Sequence, residues 1–278
     1  MKRFVSLFLA LIMIVTSLAV ITSCGNNRVE TNDSSDTVTN SGSETTGHAA
    51  TTAEATLATT SDIVKTATPT DASYFFYEVM EDGNIKITGL QLNFPVDLVI
   101  PNEIDGKKVT VIGKSAFDKQ ITMHSCVIMD GIEVIEDFAF FNCYGLLYLY
   151  LPESLVSVGE AAFSHCFSSS DYVDGVKKRV YPTVVLPSSL TVLPSRMFEN
   201  CKYLGYVYIQ DGTTEIGDYM FLDCSALKEL YIPKSVNSIY ETAFEGCKKI
   251  KFYVYRNTFS DKWFSAIDDY ASIINYID

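Results

Sequence analysis

Histidine is close to missing from this chain, with three in 278 residues. His48 sits in a polar stretch, and His124 and His165 each stand near a cysteine in different phases of the pattern described below. That scarcity argues against zinc-type ligand sets, which need His or Cys at short fixed spacings. No nucleophile elbow, H-E-x-x-H pair or phosphate-cradling glycine loop occurs, so the common routes to hydrolysis and phosphoryl transfer have no footing. Paired carboxylates of the kind used on glycosides are conceivable where acids are common, but no pair stands out. Positive charge is also short: 21 Lys and Arg against 34 Asp and Glu give a formal net charge of −13. Phosphate backbones and anionic membranes demand clustered cations, so nucleic acid is not expected as the main partner.

Long apolar runs are confined to the start. Lys2 and Arg3 precede an apolar stretch from Phe4 to Val20, the layout of a secretory signal. Ile21-Thr22-Ser23-Cys24 resembles the lipobox of bacterial lipoproteins, which implies residues 1–23 as a signal peptide and Cys24 as an acylated N-terminus. An ordinary cleaved signal or an uncleaved membrane anchor are the alternatives. Lipid on Cys24 predicts export and attachment to the bacterial cell membrane or cell surface. Residues 24–70 are rich in Thr, Ser, Asn and Ala with few large apolar groups, a composition that predicts a disordered spacer.

The remainder, 71–278, is governed by a beat. Phe117, Phe140, Phe163, Phe198, Phe221 and Phe244 are separated by 23, 23, 35, 23 and 23 residues, so one step carries 12 extra. Cys143, Cys166, Cys201, Cys224 and Cys247 follow three places after a Phe. Five places before each Phe stand Ile112, Ile135, Val158, Leu193, Ile216 and Ile239, and eight before stand Val109, Ile132, Leu155, Leu190, Thr213 and Val236. One such unit cannot bury its apolar positions alone, whereas stacked units make continuous columns. The cysteines read as free, buried thiols, small hydrophobes without a metal or catalytic task. Neighbouring coils hold their side chains parallel, which disfavours bridging. Cys126, outside that column, takes an aliphatic core position.

Stretches such as "LPESLVSVGEAAFSHC" and "IPKSVNSIYETAFEGC" resemble the BspA-type leucine-rich repeat of bacterial surface proteins, over roughly Asp71 to Tyr255. The resemblance implies a right-handed leucine-rich-repeat solenoid, mainly of short β-strands, with about six 23-residue coils. It also implies surface roles such as adhesion, with no catalytic residues; from the residues themselves no cofactor or metal is expected. The first unit departs with Gln120 at the Cys position, and Met129 and Gln210 replace a usual Pro.

Caps are expected at both ends. Tyr74 to Leu90 reads as a hairpin around Asp82-Gly83-Asn84, and Val96 to Pro101 as the first strand of the series. After "YVYRNT" the period stops; Ser260 is expected to cap a helix, Trp263 to plug the open core, and "SIINYID" to form a last strand.

Strand alternation assigns the binding face. With Leu149 and Leu151 inward, Tyr148 and Tyr150 point out, and the same offsets place Tyr206, Tyr208, Tyr231 and Phe252 outward as an aromatic ribbon. Tyrosine builds recognition surfaces at low entropy cost, and it equally supports a sheet by stacking on like neighbours. A second candidate is the insertion "SSSDYVDGVKKRVYP", which reads as a hairpin about Asp174-Gly175 flanked by Tyr172-Val173 and Val180-Tyr181. It carries Lys177, Lys178 and Arg179. The expected partner is a host or bacterial surface protein or glycan. The alternatives are a structural subunit of an envelope complex or a surface glycan hydrolase.

Overall fold

The computed structural model of the protein describes residues 62–169, 171–173 and 176–277. The expected signal peptide, the lipid site Cys24, His48 and most of the spacer lie outside the described residues. The described end of the expected spacer departs from a disordered coil: residues 62–66 are helical with Ile63 and Val64 buried, and contact with the repeat region is made by Thr70. Its amide donates to the Val99 carbonyl and its hydroxyl accepts from the Val99 amide, each at 2.9 Å.

The N-terminal cap forms where the turn chemistry places it. β1 (Phe75–Val79) and β2 (Ile85–Leu90) pair antiparallel about Gly83, with φ +84°. The Asp82 carboxylate accepts from the Asn84 amide at 2.9 Å and locks the turn. β3 (Asp97–Ile100) opens the coil series. β4 (Glu103–Ile104) then pairs antiparallel with β5 (Lys107–Ile112) through the Asp105-Gly106 turn.

Each later coil contributes one longer and one shorter strand. In chain order these are β6 (Ser125–Ile128), β7 (Val134–Ile135), β8 (Tyr148–Tyr150) and β9 (Ser157–Val158). The insertion follows as β10 (Asp171–Val173) and β11 (Val176–Lys178), paired antiparallel. Then come β12 (Thr183–Leu186), β13 (Val192–Leu193), β14 (Tyr206–Ile209), β15 (Glu215–Ile216), β16 (Glu229–Tyr231), β17 (Ser238–Ile239) and β18 (Lys251–Tyr255). The C-terminal cap is α1 (Phe259–Ser265), α2 (Asp268–Ala271) and β19 (Ile274–Ile277).

Stacking is parallel and in register. Longer strands pair as β3-β6-β8 and as β12-β14-β16-β18-β19; shorter ones continue from the hairpin as β1-β2-β5-β7-β9 and then as β13-β15-β17. Both ladders are interrupted between the coils of Phe163 and Phe198, where the 12 extra residues enter. The turn carrying the phenylalanines bridges that joint: the Phe163 amide donates to the Met197 carbonyl at 3.1 Å, as Phe140 does to Ala162 at 2.8 Å. The structure is thus the expected repeat solenoid, its eight long strands comprising the Phe-phased coils and their end units.

The interior is the set of columns named above. All six phase-marking phenylalanines are buried to within 1 % and lie in single file, with centroids 4.8, 5.0, 5.8, 5.9 and 5.9 Å apart. Thr213, the one polar member of the second column, is fully buried and donates its hydroxyl to the Leu190 carbonyl at 2.7 Å. Phe167, the residue after Cys166, enters the core against Phe198.

Two sequence expectations need correcting at the C-terminal end. Thr258, and not Ser260, caps α1: its hydroxyl accepts from the Asp261 amide at 3.2 Å, while Ser260 is buried. Phe264, and not Trp263, closes the core. It is fully buried and stacks on Phe252 at 4.1 Å, and the half-buried Trp263 packs across its edge.

Candidate ligand-binding face

The outward side of the long-strand sheet is built by register. Thr183, Tyr206, Glu229 and Lys251 align across β12, β14, β16 and β18, and two residues on so do Val185, Tyr208, Tyr231 and Tyr253. Phe252 is corrected by the same register. It pairs with Leu230, is fully buried and faces the core, so Tyr253 takes the ribbon position. The last step of the ribbon, from Tyr231 to Tyr253, is one residue shorter than the Phe period, and a constant offset misplaces every side chain beyond it.

The ribbon is tighter than alternation suggests. Tyr208 and Tyr231 stack at 4.4 Å and 21°, Tyr231 and Tyr253 at 4.4 Å and 7°, and only 6 % and 8 % of Tyr208 and Tyr231 remain exposed. Val185, Tyr208 and Tyr231 form a small apolar cluster of their own, supported by Tyr206, Tyr253 and Ile277. Ring faces are spent on each other, so ring edges and hydroxyls are what the stack presents. Tyr231 donates to the Glu229 carboxylate at 3.0 Å. Burial, and then the Glu229 charge, push the Tyr208 hydroxyl up to about 12; burial raises Tyr231 and Tyr253 as well. Further toward the N-terminus Tyr148 and Tyr150 are half-buried on the same side, and burial alone lifts Tyr150 to about 12.

Beside Tyr148 the register assembles a trio that sequence reasoning missed. Asp97 Oδ1 accepts from the Ser125 hydroxyl at 2.7 Å and lies 3.1 Å from His124 Nδ1. Those bonds, the histidine's foremost, hold the Asp97 carboxyl below its ordinary range. The serine proton is aimed at the carboxylate, so this is a pin between two coils and not a nucleophile with its base. Asp97 and Ser125 pair directly across strands, the signal that a coil alignment including β3 would have revealed.

The insertion is a hairpin, with its second strand at Val176–Lys178 and not at Val180–Tyr181. Lys177 and Lys178 belong to that strand; their side chains and the turn at 174–175 lie outside the described residues. Arg179 and Tyr181 pack back onto the solenoid. The Arg179 guanidinium lies 4.5 Å from the Tyr203 ring centre, and the Lys228 ammonium lies 3.4 Å from that of Tyr181.

The five phased cysteines are free thiols. Each donates to the carbonyl of the Phe one coil back: Cys143 to Phe117, Cys166 to Phe140, Cys201 to Phe163, Cys224 to Phe198 and Cys247 to Phe221, at 3.0–3.2 Å. Burial pushes the thiols of Cys126, Cys166, Cys201 and Cys247 up, the opposite of what a nucleophile or metal ligand needs. Among the described residues no group of three or more His, Cys, Asp or Glu is placed to hold a metal ion.

A family model for the BspA type leucine rich repeat region matches residues 106–174 and 177–270, in six copies. The chain belongs to that family. A solved structure of the leucine-rich repeat protein of T. pallidum is similar, with 27 % identity and a TM-score of 0.59 over 66 % of this chain and 81 % of that one. A leucine-rich repeat protein from Bacteroides ovatus aligns at 23 % identity and a TM-score of 0.46, over 67 % of this chain and 52 % of that one. No curated protein matches. BspA-type membership accounts for the coil and its columns; the face a member uses is a property of its own outward residues.

Proposed function

We propose that this BspA-type protein is exported, anchored by lipid on Cys24, and captures a macromolecule, protein or glycan, on the long-strand face without catalysing a reaction. The observation that carries this reading is the tyrosine stack. Three parallel strands in register, β14, β16 and β18, hold a band of rigid aromatic edges and hydroxyls beside charged groups. That composition gives contact area with little side-chain entropy to lose. Leucine-rich repeats serve widely as binding scaffolds, and repeat arrays use such continuous faces for extended ligands.

The test is a screen of the full-length chain, in detergent, against immobilised glycans and extracellular-matrix proteins, followed by face variants. Tyr208 and Tyr231 are nearly buried, so the informative changes are Tyr206→Ala and Tyr253→Ala, both at half-buried positions, with Tyr231→Phe to remove one hydroxyl. Loss of capture by folded Tyr206 and Tyr253 variants supports the face; undiminished capture removes it. Recovery of a stoichiometric envelope protein from intact cells would reassign the face to a permanent structural partner.

A further inference from the structure

The acidic excess of this protein is not evenly spread. Residues 62–175 hold six Lys and Arg against seventeen Asp and Glu, whereas residues 176–278 hold twelve of each. In the first half Lys86 is paired with Glu136 at 2.8 Å, Lys114 with Asp137 at 3.6 Å and Lys119 with Asp118 at 2.9 Å. In the second half a group of cations converges on one edge of the candidate face, where the Cys turns lead into the long strands.

Backbone bonds define that edge: the Lys251 amide donates to the Lys228 carbonyl at 2.7 Å, Lys228 to Gly205 at 2.8 Å, and Gly205 to Pro182 at 2.9 Å. Lys202 and Lys248 occupy the same place, one residue after the cysteine, in two coils of the stack, and Lys249 follows Lys248. Arg179 arrives from the insertion. Lys202, Lys248, Lys249, Lys251 and Arg179 are exposed, and none of the six forms an ion pair among the described residues. Arg179 and Lys228 are seated on the rings of Tyr203 and Tyr181, and Lys228 also lies 5.5 Å from the Tyr206 ring. A carboxylate partner would cancel these charges. An aromatic face orients them and leaves them unneutralised.

The geometry points to an acidic segment of a protein partner as the ligand of this edge, with Arg179, Lys202, Lys228, Lys248, Lys249 and Lys251 taking its carboxylates while the adjoining tyrosine edges and hydroxyls pack against its backbone. The inference rests on the long-strand face being a capture surface, and it specifies the charge and class of what is captured. A sugar ring gains most from an open aromatic face. Here the faces of Tyr208, Tyr231 and Tyr253 are turned on one another, and Tyr181 and Tyr203 each carry a cation. Of the acids near this edge, Glu229 is engaged by the Tyr231 hydroxyl, and Asp223 lies against Gly246 in the turn before Lys248. Seated cations lose less freedom on binding than mobile ones, so part of the ordering cost is met in the unbound protein.

The experiment measures capture of the full-length chain, in detergent, by an immobilised oligo-glutamate peptide, a neutral oligo-glutamine peptide and heparin as a sulfated polysaccharide. The expected result is capture by oligo-glutamate and not by oligo-glutamine, weakening as salt is raised. The charge-reversed variant Lys228→Glu/Lys251→Glu should lose at least about tenfold in affinity. Lys248→Gln/Lys249→Gln, which changes two exposed and unpaired side chains, guards against a folding artefact and should also weaken capture. Lys107→Glu/Lys108→Glu, in the cap, should not. Equal capture of the neutral peptide, or undiminished capture by both lysine variants, overturns the inference. Preference for heparin with the same lysine dependence also overturns it, assigning the edge to an anionic glycan. Loss of a ligand in the tyrosine variants but not in the lysine variants keeps the capture face and removes only its acidic specificity.

Discussion

At the scale of single residues, the repeated Phe and Cys act as a pair across coils. Each interior Phe carbonyl accepts two bonds, from the amide of its own coil's cysteine and from the thiol of the next: Phe140 takes Cys143 N and Cys166 Sγ, both at 3.2 Å. Both lone pairs of a buried carbonyl are thereby satisfied. Phe198, stacked on Phe163 and Phe221, should cost about 3–5 kcal/mol when cut to Ala, read as a shift in urea midpoint. The thiols give a second check. Alkylation mapped by mass spectrometry should label half-buried Cys247 first and leave Cys126, Cys166 and Cys201 unmodified until the chain unfolds. Early labelling of the interior three would contradict the packing.

The tyrosines carry a pH signature. An acid whose pKa is higher in the folded state contributes its stability fully below the unfolded value, about 10 for tyrosine, and loses it as pH rises through the folded value. Tyr150 and Tyr208 reach about 12, so the protein should lose stability between those two values. Tyrosinate absorbance should rise in two steps, the later one coinciding with unfolding. A single step near the ordinary value would show the stack to be open. Asp97 works in the other direction: its depressed carboxyl supports the fold above the ordinary carboxylate range and ceases to as pH falls through its own value. The melting-temperature gap between the parent and Asp97→Asn should therefore close in acid.

At the scale of elements, the repeat is shaped by backbone geometry that composition conceals. Ser115, Phe138, Ala161, Arg196 and Tyr219, two places before a Phe, all have φ between 53° and 59°. Lys119, Asn142, His165, Asn200 and Asp223, two places after, lie at 57–61°. Asn and Asp suit the second position, which hints at the left-handed turn; Phe, Arg and Tyr at the first give no hint, because tertiary stacking imposes the conformation there. Asn200→Val should therefore destabilise by about 1–2 kcal/mol, with Asn200→Gly close to neutral, in the same urea measurement. The period itself was plain in sequence because stacking demands identical length. What escaped was local: the single residue missing before Phe252, the cap taken by Thr258, and the seats of Arg179 and Lys228 on tyrosines of other coils. Those contacts join residues that no repeat phase relates. Gly205 shows how close they come, since a Cβ there would meet Tyr181 Cβ at 2.6 Å.

At the scale of the whole molecule, the joint between the coils of Phe163 and Phe198 divides both ladders. β14 has strands on either side, whereas β12 is paired only with β14. Native-state hydrogen exchange should accordingly be faster at residues 183–186 than at 206–209. Uniform protection across the joint would mean that the two stretches open as one cooperative unit.

The register of the columns has a last consequence. In the core each coil stacks on the coil before and the coil after, and each hands on the same outline. Duplicating 23 residues from the run after the joint would push the end unit outward by about 4.8 Å and add one more rung of outward side chains, without disturbing any rung already there. Reach and number of contacts can thus be adjusted in equal increments by gene duplication alone, a ruler that lengthens from within.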